Sequence, residues 1–74
     1  MNLHAIARKV QELVPGASEV ETREQPGHVY SLVCRMGGKT RSVQFDAAGL
    51  YPNNNTWAAS DLWLAAEIAK ELRK

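Results

Sequence analysis

Apolar residues at Leu3, Ile6, Ala7, Val10, Leu13 and Val14 recur at the three- and four-residue spacing of a helix. His4, Arg8, Gln11 and Glu12 fall on the opposite side, so the pattern predicts one amphipathic helix over residues 2–14. Asn2 suits its N-cap, because a short side-chain oxygen can accept from a free backbone N–H of the first turn. Pro15-Gly16 ends it. From Ala17 to Glu24 the period drops to two, with Ser18, Val20 and Thr22 on one side and Glu19, Glu21 and Arg23 on the other. This reads as a short first strand, turned back by Gln25-Pro26-Gly27.

Met36-Gly37-Gly38-Lys39 then sets the register of a hairpin. A two-residue Gly-Gly loop suits a primed turn, whose positive φ angles glycine adopts without strain. With Met36 opposite Lys39, the pairs outward are Arg35 with Thr40, Cys34 with Arg41, Val33 with Ser42, Leu32 with Val43, Ser31 with Gln44 and Tyr30 with Phe45. One face collects Tyr30, Leu32, Cys34, Met36, Val43 and Phe45, and the other Ser31, Val33, Arg35, Thr40, Ser42 and Gln44. Such a sheet has one side for a core and one for water.

The last block, from about Thr56 or Ser60 to Arg73, is rich in Ala and Leu and reads as a second helix. Ala58, Leu62, Ala65, Ala69 and Leu72 make a stripe with Ile68 at its edge, whereas Trp63 falls between Glu67 and Lys70, away from it. Ala47 to Asn55 reads as a loop containing Gly49, Tyr51-Pro52 and Asn53-Asn54-Asn55. The expectation is a single α+β domain over residues 1–74. Its order is α-β-β-β-α, a three-stranded antiparallel sheet with both helices packed on one face, since all three need the same core.

Composition narrows the class. A chain of 74 residues is near the lower limit for unaided folding, burying roughly 60% of its unfolded surface. One cysteine allows no internal disulfide, which fits a reducing compartment and leaves an apolar core or an oligomeric contact to supply stability. No apolar run approaches the roughly 20 residues of a membrane span, and the Met-Asn-Leu-His-Ala-Ile-Ala-Arg start lacks a signal-peptide pattern. These features predict a cytoplasmic protein. A formal net charge of +1 exerts no general pull on nucleic acid or anionic lipid.

Two resemblances follow from the element order and from Pro26-Gly27-His28 at the turn into the second strand. The order resembles the double-stranded-RNA-binding-domain fold, which usually carries Gly-Pro-x-His there. That likeness implies the fold and an RNA contact at His28. The place of the family's Lys-Lys-x-x-Lys cluster reads Thr56-Trp57-Ala58-Ala59-Ser60-Asp61, without a positive charge, although phosphate contacts supply most of such binding. The chain is also similar to HicA-type toxin ribonucleases, whose Gly-Ser-His-His segment opens the second strand. Gly27-His28 is a one-histidine version of it, and Gly37-Gly38-Lys39-Thr40 resembles their hairpin turn. This likeness implies a His28 general base acting on a ribose hydroxyl.

Other chemistry finds little footing. Cys34 lies on the buried face opposite Arg41, and the register points Asp46 away from His28. His4, His28 and Cys34 lack metal-ligand spacing. Gly37-Gly38 joins two strands rather than opening a helix, so no phosphate loop or cofactor site is expected. Asn54-Asn55-Thr56 matches a glycosylation sequon, accidental inside a cell. The outer sheet face has no aromatic residue for base stacking, which leaves Arg35, Lys39 and Arg41 at the hairpin tip, with His28, as the candidate nucleic-acid contacts. For a protein partner the candidates are Trp63, off its helix stripe, with Trp57 and Tyr51 in the preceding loop and Leu64 extending the surface. Aromatic residues are enriched in interface cores. The expected function is therefore a non-catalytic domain that binds a protein or a second copy of itself, with RNA binding or RNA cleavage as the alternative.

Overall fold

The computed structural model describes residues 1–51 and 55–74. Helix α1 spans Leu3–Leu13. Strands β1 Ser18–Gln25, β2 Val29–Met36, β3 Lys39–Asp46 and β4 Gly49–Leu50 follow, and helix α2 Asp61–Leu72 closes the chain. The four strands form one antiparallel sheet in the order β1-β2-β3-β4. The expected order is thus extended by one strand, because Ala47-Ala48 makes a second tight hairpin within the segment read as loop. Two devices hold that turn. The Asp46 carboxylate accepts from the Ala48 N–H at 2.8 Å, an Asx-type turn, and Gly49 opposite Asp46 has φ 142°. Of the expected Ala47–Asn55 loop, residues 52–54 lie outside the described residues, as does Asn54 of the sequon.

The β2–β3 register is the predicted one, from Met36 opposite Lys39 to Tyr30 opposite Phe45. Gly37 and Gly38 have φ 57° and 79°, as a primed turn requires. Leu32, Cys34, Val43 and Phe45 are buried on the inner face. Tyr30 stacks at a tilt on Phe45, with ring centroids 5.7 Å apart.

β1 departs from simple alternation. Ser18 pairs with Arg35 and Glu21 with Val33, so Glu19 and Val20 together oppose Cys34. Two residues against one is a bulge, and Glu19 takes φ 52° to form it. The extra residue corrects the expected sidedness: Ser18 shares the outer face with Arg35, while Val20 still packs on the core.

α1 is capped as expected, with the Asn2 side chain accepting from the Ala5 N–H at 3.0 Å. It packs against the sheet through β1 and contributes Ile6 and Val10 to the core cluster, which its C-cap Val14 also joins. α2 begins after Ser60, whose hydroxyl accepts from the Trp63 N–H at 3.1 Å. Its buried residues are Leu64, Ala65, Ile68, Ala69 and Leu72, in the same cluster. The expected stripe was therefore rotated: Leu62 is 66% exposed and Leu64 is 0% exposed. The two helices run in the same direction and are tied at both ends. The Asn2 N–H donates to Asp61 Oδ2 at 3.1 Å, and Arg73 Nη1 donates to the Leu13 carbonyl at 3.3 Å.

Candidate interaction site

The fold sorts the candidate residues between two poles. One pole holds the Met36-Gly37-Gly38-Lys39 turn together with the start of β1. The other holds the Pro26-Gly27-His28 turn, the Ala47-Ala48 turn and the start of both helices. The chain returns to this second pole after β4: Asn55 N–H donates to the Ala48 carbonyl at 2.9 Å and Ala59 N–H to the Ala47 carbonyl at 2.8 Å. Those two bonds deliver Trp57 and the Ser60 cap beside the β3–β4 turn.

Trp57 is 70% exposed and Trp63 is 40% exposed. Both line one open groove of about 420 Å³ with Asn55, Ala59 and Ser60. Among the described residues the groove wall carries no charged side chain. Neither indole N–H nor the Asn55 side-chain amide has a protein partner among the described residues. Trp63 stands outside the core because its neighbours Leu64 and Ala65 already fill the inward face of α2.

Two of the other expected members lie elsewhere. Tyr51 is 49% exposed, but its N–H donates to the Gln44 carbonyl at 2.9 Å. It therefore sits at the sheet edge and is not among the groove's walls. Leu64, expected to extend the surface, is fully buried instead, since it falls on the true inward stripe of α2. In its place stands Leu62, exposed above Ala5, Arg8, Lys9 and Glu12 of α1. The pattern Leu64, Ala65, Ile68, Ala69, Leu72 was available in the sequence, and a stripe phased on it places Leu62 outside.

The candidate nucleic-acid contacts are not brought together. Arg35 is on the outer face, where its guanidinium donates to the Gly38 carbonyl at 3.0 Å and to Thr40 Oγ1 at 3.4 Å. Lys39 and Arg41 alternate onto the other face with their partners Met36 and Cys34. His28 is exposed in its turn with φ 62° and makes no hydrogen bond or ion pair among the described residues. It opens β2 at the end opposite the tip, and the eight residues between span about 26 Å at roughly 3.3 Å per residue.

Cys34 is closed off. Burial pushes its thiol above the ordinary range, against a smaller opposing pull from the Arg41 guanidinium. The outer sheet face is a polar layer. Gln25 Nε2 donates to Ser31 Oγ at 2.9 Å, and Gln44 Nε2 donates to Gln25 Oε1 at 3.4 Å. That network explains how Ser31 is buried with its hydroxyl satisfied. Among the described residues no group of three or more His, Cys, Asp or Glu is placed to hold a metal ion, and no helix is long and apolar enough to cross a membrane.

Comparison with protein-family models, with curated proteins and with solved structures finds no match for this chain.

Proposed function

We propose that this domain is a non-catalytic protein-interaction module that engages a protein partner or a second copy of itself through the Trp57–Trp63 groove. The observation that carries the reading is the joint exposure of two tryptophans on one uncharged wall. An exposed indole leaves a large apolar surface in water, and covering it in an interface core yields more than covering most other side chains. Leu62 and Met1 are also exposed, each next in sequence to a partner of the Asn2–Asp61 bond that joins the two helix starts.

The finer arrangement, with both helices as one layer on the inner sheet face, is supported by the core they share with Leu32, Val43 and Phe45. It leaves the polar outer face to solvent. We place the domain in the cytoplasm, where a single buried thiol such as Cys34 stays reduced. The RNA-binding and RNA-cleaving readings draw less support, because His28 and the tip cations Arg35, Lys39 and Arg41 sit at opposite ends of β2.

The test compares wild type with Trp57→Ala. The variant is expected to keep the wild-type melting profile while losing self-association in sedimentation, or binding to its protein partner, at least tenfold. A variant that melts much lower makes the groove structural instead. Wild type that sediments as a monomer at high concentration rejects the homodimer form.

A further inference from the structure

We propose that the free edge of β1 pairs with β1 of a second copy of the chain, in one antiparallel register centred on Thr22. β1 ends the sheet, since the strand order is β1-β2-β3-β4. The turns decide which of its backbone groups point outward. A two-residue Gly-Gly loop closes on a hydrogen-bonded pair, here Met36 with Lys39, and such pairs alternate along an antiparallel ladder. The β3–β4 hairpin agrees, because Tyr51 N–H donates to the Gln44 carbonyl, which therefore faces away from β2. On that alternation Val33, Ser31 and Val29 bond their β1 partners Glu21, Arg23 and Gln25. The N–H and C=O groups of Thr22 and Glu24 then point out from the edge. No backbone or side-chain group elsewhere among the described residues bonds them. β1 has eight residues, whereas the opposite edge, β4, has two.

Side chains select the register. Two copies with their helices on the same side of a shared sheet are related by a two-fold axis perpendicular to it, and this axis passes through one residue of β1. Centring on Glu21, Arg23 or Glu24 sets a charge against its own copy, which is unfavourable. Centring on Val20 runs through the Glu19 bulge, and centring on Gln25 draws in Pro26, which has no N–H to give. Centring on Thr22 sets Glu21 opposite the second copy's Arg23, and Arg23 opposite its Glu21, with Cβ atoms about 4.5–5.5 Å apart. Both residues are exposed, and Arg23 Nε already donates to Glu21 Oε1 at 2.9 Å. The pair thus becomes a ring of four alternating charges. On the inner face Glu24 comes opposite Val20 of the second copy. Val20 lines an open groove with His4, Ala7, Arg8, Gln11 and Glu12 of α1. Glu12 is paired with Lys9 at 3.2 Å, but Arg8 and Glu24 have no ion-pair partner among the described residues. An unpaired carboxylate is therefore brought to the groove of an unpaired cation. Charges that guard an edge against indiscriminate pairing here leave one register open, while the main-chain bonds supply the affinity.

Charge variants at these exposed positions test the register on the whole chain. Wild type, Arg23→Glu, Glu21→Arg and the double swap of Glu21→Arg with Arg23→Glu are compared by sedimentation equilibrium and by hydrogen exchange of the Thr22 and Glu24 amides. Circular dichroism of the same samples reports folding. Wild type is expected to dimerise at high concentration, with both amides protected as the dimer forms. Each single variant should dimerise at least tenfold more weakly, the double swap should regain wild-type affinity, and a mixture of the two single variants should form a heterodimer. A wild type that stays monomeric overturns the proposal, as does equal dimerisation by wild type and Arg23→Glu. Single variants that fail to complement one another overturn it too. Should a single variant not fold, the double swap decides: dimerisation as in wild type upholds the register and a monomer rejects it. Dimerisation lost in Trp57→Ala but indifferent to the β1 charges assigns the contact to the tryptophan groove, so that the interaction reading stands and the edge pairing falls.

Discussion

The backbone N–H of Asn2 donates to the carboxylate of Asp61, 3.1 Å away across 59 residues of sequence. The same Asn2 caps α1 through its side chain, so one residue starts its own helix and locates the start of the other. Asp61 also sits in the first turn of α2, where the helix dipole favours a negative charge. Removing the carboxylate in Asp61→Ala is expected to lower stability by about 1 kcal/mol, from the lost charge-assisted bond and dipole together. Urea unfolding checks it. A change near zero shows that the helix starts are held by packing alone.

The corrected face of α2 gives a second prediction. Leu62 and Leu64 are two residues apart, yet one is exposed and the other lies in the core. Leu64→Ala is expected to destabilise by about 2–5 kcal/mol, the usual cost of a core leucine with its cavity. Leu62→Ser should stay within about 0.5 kcal/mol. Reversed magnitudes restore the stripe phased on Leu62.

Backbone conformation gives a third. Gly37 has φ 57° and open space where a Cβ would stand, so Gly37→Ala tests the dihedral preference with no clash. A cost of about 1–2 kcal/mol is expected. Glu19 holds φ 52° without being glycine. Glu19→Gly relieves that strain but adds freedom to the unfolded chain, for a net gain of about 0.5 kcal/mol. Thermal melts of both variants check the opposite signs.

Cys34 makes stability depend on pH. Its folded thiol titrates above the ordinary value because burial disfavours the thiolate. The contribution is therefore complete below the unfolded thiol's value of about 8.5 and declines as pH rises from there toward the raised folded value. Wild type should lose stability between neutral and alkaline pH by more than Cys34→Ala loses over the same interval. Parallel profiles for the two proteins contradict this.

Legibility in the sequence followed how strongly each signal was overdetermined. The β2–β3 register was readable because Gly37-Gly38 and two alternating strands agree on one pairing. α1 was readable because Asn2, the apolar spacing and Pro15-Gly16 mark a start, a face and an end. β4 was missed because Gly49-Leu50 is two residues long, too short for alternation to register. The bulge at Glu19 was missed because it depends on positive φ at a residue that normally avoids it. In α2 the first turns run Leu62-Trp63-Leu64-Ala65-Ala66 with no polar residue between, so periodicity there did not fix the phase, and Leu64 was assigned outward. Trp63 was singled out as off its stripe and Trp57 as an aromatic of the preceding loop, but their meeting in one groove depends on the Asn55 and Ala59 hydrogen bonds to the β3–β4 turn. No local sequence rule encodes those bonds.

The most direct test of the interaction surface is a paired measurement on wild type and Trp57→Ala at matched folded stability. Sedimentation equilibrium reports self-association, and affinity capture from the organism that makes the protein, followed by binding of the purified partner, reports a second protein. The account predicts a stoichiometric complex with wild type that weakens at least tenfold in Trp57→Ala, with melting profiles unchanged. A variant that binds the same species equally well, or a wild type that is monomeric and retains no partner, contradicts it.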